Sequence, residues 1–299
     1  MRLQLLFPQD LPHRTSDLGA TGPVRAAAWS ERETGRTANQ FALLDRFFGV
    51  TRVAGAPLFL AHSARSAQQS VCSHVVTHAS SMGLCRLAEL LTALEDVHAV
   101  AASGLAVAPR PAPALPALSG ATGTSNPHLT WRVGHLAFFP LIQGALVGLR
   151  TFMAAADDGD DENAVAALLF AAGCLGGSIR AMEFAADFSP TEYRSQVRPT
   201  MAPPFLPEGL SGLMSADHHH LVKTFPAAAW MARQSSPEVQ RAYDALVAVV
   251  ESSYAAHVHV CDRFQGAGTT SLRMAPHTQM SATEVIVRMG RSRVEGLRR

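Results

Sequence analysis

The chain has 299 residues, enough for one large domain or two small ones with an ample core. Apolar residues make up 47% and charged residues only 16%, with a formal net charge of +1, so charge gives no reason to expect a nucleic-acid or membrane partner. Alanine is abundant and β-branched and aromatic residues are sparse, which favours helix over strand.

Residues Met1 to Pro8 are too short and too soon broken to form a secretory signal. The longest apolar runs are interrupted by Gly, Pro or charge, so no membrane span is expected. The four cysteines (Cys72, Cys85, Cys174 and Cys261) are scattered and form no CxxC pair. A reducing cytoplasm is the default setting, with most of these thiols buried.

Residues 1–35 mix Pro, Gly, Ser, Thr and charge without a period and read as an irregular arm. From about Thr37, Phe41, Leu44, Phe47 and Phe48 recur at helical spacing. A second helix is expected over about 57–82, with His74 and His78 one turn apart. A third runs from about Leu84 to Ala102 on a stripe of Leu87, Leu90, Leu91, Leu94 and Val97. The stretch at about 107–125 is rich in Pro, Ala and Gly and reads as a surface linker inside one domain spanning 1–299.

Asn126-Pro127 reads as a helix start, a capping side chain followed by a first-turn proline. The helix after it is apolar on nearly every side and should be central, with a kink at Pro140. The acidic cluster from Asp157 to Glu162 suits the positive end of the next helix, about 163–186, which Gly176-Gly177 should interrupt. Residues 198–212 carry four prolines and read as a long ordered loop of the kind that often serves function. Ser215 can cap a helix running from Asp217-His218 to about Thr224. The last dozen residues are rich in arginine (Arg288, Arg291, Arg293, Arg298, Arg299) and read as a basic, frayed tail. There is no internal repeat.

The most informative stretch is the helix that opens at Ser236-Pro237-Glu238. Its apolar positions are Val239, Tyr243, Leu246, Val250 and Tyr254, followed on the same stripe by His257, Cys261 and Phe264. The steps of three and four place a histidine and a cysteine at core positions, one turn apart. Spacing alone leaves three readings. Both residues can fill the core. They can belong to a zinc site completed by His218-His219-His220, although no further cysteine or carboxylate is placed to make four ligands. Or an imidazole can bind haem iron while the thiol one turn away reaches a vinyl edge. The usual haem-attachment sequence, CxxCH, is absent.

From about Trp131 to Phe264 the chain resembles the histidine-ligated haem-dependent aromatic hydroxylases, on the side of the 3-methyl-L-tyrosine hydroxylases (peroxygenases) of saframycin biosynthesis. The residues that carry the resemblance are Trp131 and Gly134-His135; Glu192-Tyr193, Val197 to Thr200 and Pro203-Pro204; Ser211 to Leu213 and Asp217-His218; and Tyr254, His257, Val260-Cys261 and Phe264. That family uses a motif of the form H-xₙ-H-x₃-C, which His218, His257 and Cys261 fit in order. The resemblance implies an all-α fold related to tryptophan 2,3-dioxygenase, with a haem held by histidine ligation and a single thioether at Cys261. It also implies ortho hydroxylation of the phenol ring of L-tyrosine or 3-methyl-L-tyrosine by hydrogen peroxide, giving a catechol amino acid for a natural-product pathway.

Under that reading His257 binds iron and His218 is the second haem histidine, and the reverse assignment stays open. Asp217 or a backbone carbonyl would orient the ligating imidazole. A neutral distal histidine can move the peroxide proton, and His135 and His78 are further candidates for that place. Arg198, Arg132 and Arg194 could clamp the substrate carboxylate, or simply pin loops. Tyr193 and Ser211 could line the pocket or tie down the long loop. The partners are then an aromatic amino acid and hydrogen peroxide, with a homodimer left open. The competing readings are an indole-ring haem dioxygenase using O₂, against which the extra cysteine speaks, a haem-binding sensor without turnover, and a structural helical protein.

Overall fold

In the computed structural model the chain is described at residues 2–33, 35–78, 80–104, 125–206, 214–265 and 280–298. The expected linker lies outside these except for Ser125. The expected helical class holds for most of the described chain, with a small sheet added. Val50–Ala54 (β3) is the middle strand, parallel to Leu3–Leu6 (β1) and antiparallel to Arg25–Ala26 (β2). The stretch expected as an irregular arm thus contributes two strands. Leu5, Leu6 and Phe7 are fully buried. Strands of two to five residues carry too little alternation to stand out in a sequence.

The helices follow from apolar stripes and end signals. Gly35–Phe48 (α1) leads into β3, and Phe59–Thr77 (α2) and Leu84–Ser103 (α3) pack on each other. Gly104 closes α3 in the left-handed conformation that glycine adopts without strain. Pro127–Asp157 (α4) is capped by Asn126, whose side chain accepts the Leu129 N–H at 3.1 Å. It continues as one helix through Pro140. Asp161–Ala185 (α5) is capped by Asp160 and is not interrupted at Gly176-Gly177.

The next elements are short. A turn at Pro190–Glu192 (α6) starts at a Ser189 capping box, a π-helical turn covers Tyr193–Val197, and Arg198–Thr200 forms a further turn (α7). The segment expected as loop from 198 therefore begins in helical geometry. Ala216–Gln234 (α8) starts at Ser215 as expected but runs ten residues past Thr224, through Pro226. Burial of Phe225, Ala228, Ala229 and Ala232 outweighs the hydrogen bond that a mid-helix proline removes. Pro237–Gln265 (α9) and Ala282–Arg298 (α10) complete the described chain.

α4 lies at the centre, packed against α5, α2 and α8, and α5 in turn packs against α3 and α9. The α4–α5 contact is close because glycines face it. A Cβ at Gly134 would lie 2.4 Å from the Ala185 Cβ, and one at Gly148 would lie 2.9 Å from the Ala171 Cβ. Both helices are long and apolar enough by composition to cross a membrane. Here 83% of the apolar stretch of α4 and 50% of that of α5 are buried within the protein.

Candidate active site

The stripe on α9 is buried at both ends and opens in the middle. Val239, Tyr243, Leu246 and Val250 are buried, as is Phe264, while Tyr254, His257 and Cys261 are partly exposed. The opening is a cavity of about 520 Å³, a volume that includes the open solvent at its mouth. His257 and Tyr254 of α9 face His218 of α8 across it. Phe138, Ile142, Leu175, Leu221, Phe225 and Val250 make the walls apolar, and Ser178 and Ser253 add hydroxyls.

Both imidazoles are held neutral. Burial drives the His257 pKa down to about 4. Burial, then the nearby Arg293 charge, then His257 and His219, drive that of His218 to about 3. Neither ring hydrogen-bonds to another described residue, so each has ring nitrogens available to the cavity. Two neutral imidazoles from different helices, facing one apolar cavity, are a donor set that fits a porphyrin iron. Among the described residues no group of three or more His, Cys, Asp or Glu could hold a metal ion, so the zinc reading lacks its ligands. Cys261 stands one turn beyond His257, and burial, with Asp262 nearby, raises its thiol pKa to about 11.

Beside the cavity lies an aromatic cluster. Tyr193 stacks on Phe264 with centroids 4.5 Å apart, and Phe264 stacks on Phe188 at 5.2 Å. Trp131 packs against this group and against His135, at 4.2 Å. His135 is stacked on Phe48 at 4.3 Å and donates Nδ1–H to the Trp131 carbonyl at 2.8 Å, the only role a carbonyl leaves it. Its Nε2 is then bare. Burial, against the pull of that carbonyl and aided by His257, lowers its pKa to about 4. His135 is therefore near His257 but not on the cavity wall.

Tyr193 is buried, with its hydroxyl 3.9 Å from the Met201 sulfur. Arg198 has a buried Nη1 with no hydrogen-bond partner. Arg132 donates Nε–H to the Phe48 carbonyl at 2.9 Å, and Arg194 is exposed. Ser211 lies outside the described residues. His78 is at the end of α2, stacked on His74 at 4.7 Å and away from the cavity lining. Asp217 does not orient an imidazole. Its two oxygens accept from Arg52, at 3.0 and 2.8 Å, and from Gln143 at 2.8 Å. Asp45 completes this buried group, accepting from Arg52 and from Trp29 Nε1. Burial alone would lower the Arg52 pKa, but Asp217 and Asp45 outweigh it and keep the guanidinium charged. The only sequence signal for this group was an arginine amid apolar neighbours at 50–54.

Of the thiols, Cys174 is buried, whereas Cys72 and Cys85 are exposed, against the expectation that most would be buried.

Residues 9–242 match the family described as SfmD 3-methyl-L-tyrosine peroxygenase. The chain belongs to that family. A 3-methyl-L-tyrosine peroxygenase of Streptomyces lavendulae is 31% identical over 173 residues, 56% of this chain. The match spans a little under half of that relative, 46% of its length. A crystal structure of reduced SfmD, soaked with sodium hydrosulfite, superposes with a TM-score of 0.64 at 22% identity, covering 86% of this chain and 97% of that one. It shares the fold. The SfmD-family match contains α8 and His218 but ends at residue 242 inside α9, before His257 and Cys261. The pairing of His218 with His257 therefore comes from the geometry of the cavity.

Proposed function

We propose that the protein is a haem-dependent peroxygenase that hydroxylates the phenol ring of L-tyrosine or 3-methyl-L-tyrosine ortho to the hydroxyl, giving a catechol. The observation that carries this reading is the meeting of two neutral imidazoles, His218 and His257, in one apolar cavity with a thiol one turn along the same helix. Membership of the peroxygenase family supports the same reaction class.

His257 would hold the haem iron, with His218 as the second haem histidine across the cavity, and Cys261 would bind a vinyl edge as a single thioether. When bound, the haem supplies activation of hydrogen peroxide and transfer of its oxygen to the ring. The apolar walls exclude water and seat an aromatic ring. A histidine that does not hold iron is neutral at neutral pH and can take a proton from hydrogen peroxide and return it to the departing oxygen. His218 and His135 both have the required protonation state. The orphaned Arg198 Nη1 suits a substrate carboxylate, which would satisfy a buried donor. Tyr193 would contribute through the aromatic cluster beside the cavity, where it stacks on Phe264. Asp217, through Arg52 and Gln143, fixes the first turn of α8 and so the position of His218.

The reading is tested on the purified protein from cells supplied with iron and haem precursor. Haem should survive on a denaturing gel and disappear in Cys261→Ala. Incubation with L-tyrosine or 3-methyl-L-tyrosine and peroxide should give a catechol. Colourless protein rules the reading out, and bound haem with no catechol from either substrate assigns the chain to the sensor class.

A further inference from the structure

The arginine-rich end of the chain is not a frayed tail. It folds as α10 and packs on α9 and α8. Gly290 lies against Tyr254, where a Cβ would come within 2.8 Å of the ring carbon Cγ. Tyr243 donates its hydroxyl to the Leu297 carbonyl at 3.1 Å, and Arg298 pairs with Glu251 at 2.8 Å. These contacts set Arg293 over the Tyr254 ring, with the guanidinium carbon 5.5 Å from its centroid and an N–H donated to its hydroxyl oxygen. Tyr254 is itself a wall of the His218/His257 cavity. Arg293 is half-buried and has no carboxylate partner among the described residues. The family match, ending at 242, contains neither Arg293 nor Tyr254.

On α9, Tyr254 comes three residues before His257 and Cys261 four residues after it. The two therefore lie on opposite sides of His257, roughly 10 Å apart along the helix axis. A haem has a matching polarity, with both vinyl groups on one half of the ring and both carboxylates on the other. A thioether at Cys261 directs the vinyl half toward the C-terminal end of α9 and the carboxylates toward Tyr254. The phenol oxygen accepts from Arg293, which leaves the phenol proton free to donate to a carboxylate, while the guanidinium supplies the opposite charge.

We infer that Arg293, with the Tyr254 hydroxyl, binds a carboxylate of the haem, so that α10 completes the cofactor site. This inference rests on the haem reading of the preceding subsection.

The test uses the full chain carrying Cys261→Ala, which makes haem binding reversible, and follows the Soret band during titration with haem or with its dimethyl ester. Arg293→Gln should weaken haem binding by about tenfold or more, and Arg293→Lys should recover most of the loss. The ester should bind the parent about as weakly as haem binds Arg293→Gln, and should be indifferent to residue 293. The inference is overturned if Arg293→Gln keeps its helical circular dichroism and binds haem as the parent does. Equal losses for haem and ester also overturn it, because the carboxylate concerned would then not be the cofactor's. Should Arg293→Gln lose helix, Tyr254→Phe decides. It should weaken haem binding a few-fold and leave the ester unchanged, and no change with haem overturns the inference. A Cys261→Ala chain that takes up no haem at all defeats the haem reading along with it.

Discussion

Arg52 and Asp217 form a two-pronged buried ion pair, Nη1 to Oδ1 at 3.0 Å and Nη2 to Oδ2 at 2.8 Å, one residue before His218. It ties the middle strand of the small sheet to the first turn of the helix that carries a cavity histidine. Removing one charge leaves the other buried with only Asp45 to balance it. Asp217→Asn should therefore lower the unfolding free energy by about 3–5 kcal/mol, measured by urea denaturation of the haem-free protein. A change within about 1 kcal/mol would mean that Asp45 and the Leu6 carbonyl hold Arg52 without it.

Gly176 and Gly177 are adjacent in α5, and only one of them is needed. A Cβ at Gly177 would meet the Ala93 Cβ at 2.3 Å, whereas nothing lies within 4 Å of one at Gly176. Gly177→Ala should cost about 1–3 kcal/mol by overpacking the α3–α5 contact. Gly176→Ala should stabilise by roughly 0.5–1 kcal/mol, the helix preference of alanine over glycine. Equal effects on the thermal midpoint would show that the α3–α5 approach is looser than the structure has it.

His74 is buried, with Nε2 3.0 Å from the Thr130 hydroxyl and Nδ1 without a partner. The Thr130 hydroxyl is given to the Asn126 carbonyl, so it is His74 Nε2–H that donates. A second proton, on Nδ1, would have no acceptor. Burial, and then His78, lower the His74 pKa to about 4, with Asp187 opposing. In the unfolded chain the group titrates near ~6.5. Between these values the unfolded state binds more protons than the folded one, so stability rises with pH. The contribution of His74 is fully present above ~6.5 and is lost as the pH falls toward 4. His74→Gln, which keeps a donor to Thr130, should flatten the fall in thermal midpoint between pH 6.5 and 4.5. An unchanged slope would assign that fall to other groups.

Arg198 and Arg194 are separated by one helical turn and differ in their surroundings. Arg198 has a buried, unpartnered Nη1, while Arg194 is exposed. If Arg198 holds the substrate carboxylate, Arg198→Gln should raise KM for the amino acid by about tenfold or more and leave kcat less affected. Arg194→Gln should change neither. Equal KM values for the wild-type and Arg198→Gln enzymes would remove Arg198 from the substrate site.

The α9 stripe was legible because it is a local property. Val239, Tyr243, Leu246, Val250, Tyr254, His257, Cys261 and Phe264 share one helix face by spacing alone. The caps at Asn126, Ser215 and Ser236 were legible for the same reason, since each is a contact between residues three apart. The expected end of α8 near Thr224 fell ten residues short because burial against its neighbours carries the helix through Pro226, which no local rule contains.

The amino-acid order by itself determined a mostly helical chain with a histidine and a cysteine one turn apart on a buried face. It could not determine what faces them. His218 reaches His257 only because α4 and α5 hold α8 and α9 in place, and Arg52 meets Asp217 across 165 positions of chain. The same limit applies to Arg293, which looked like one charge among several in a polar tail. Its value comes from Gly290, whose missing side chain lets α10 rest on Tyr254 at the edge of the cavity. Helix faces follow from the 3.6-residue repeat, but pairing between faces is set by burial and close packing of residues far apart in the chain. Those terms exist only once the tertiary structure has formed.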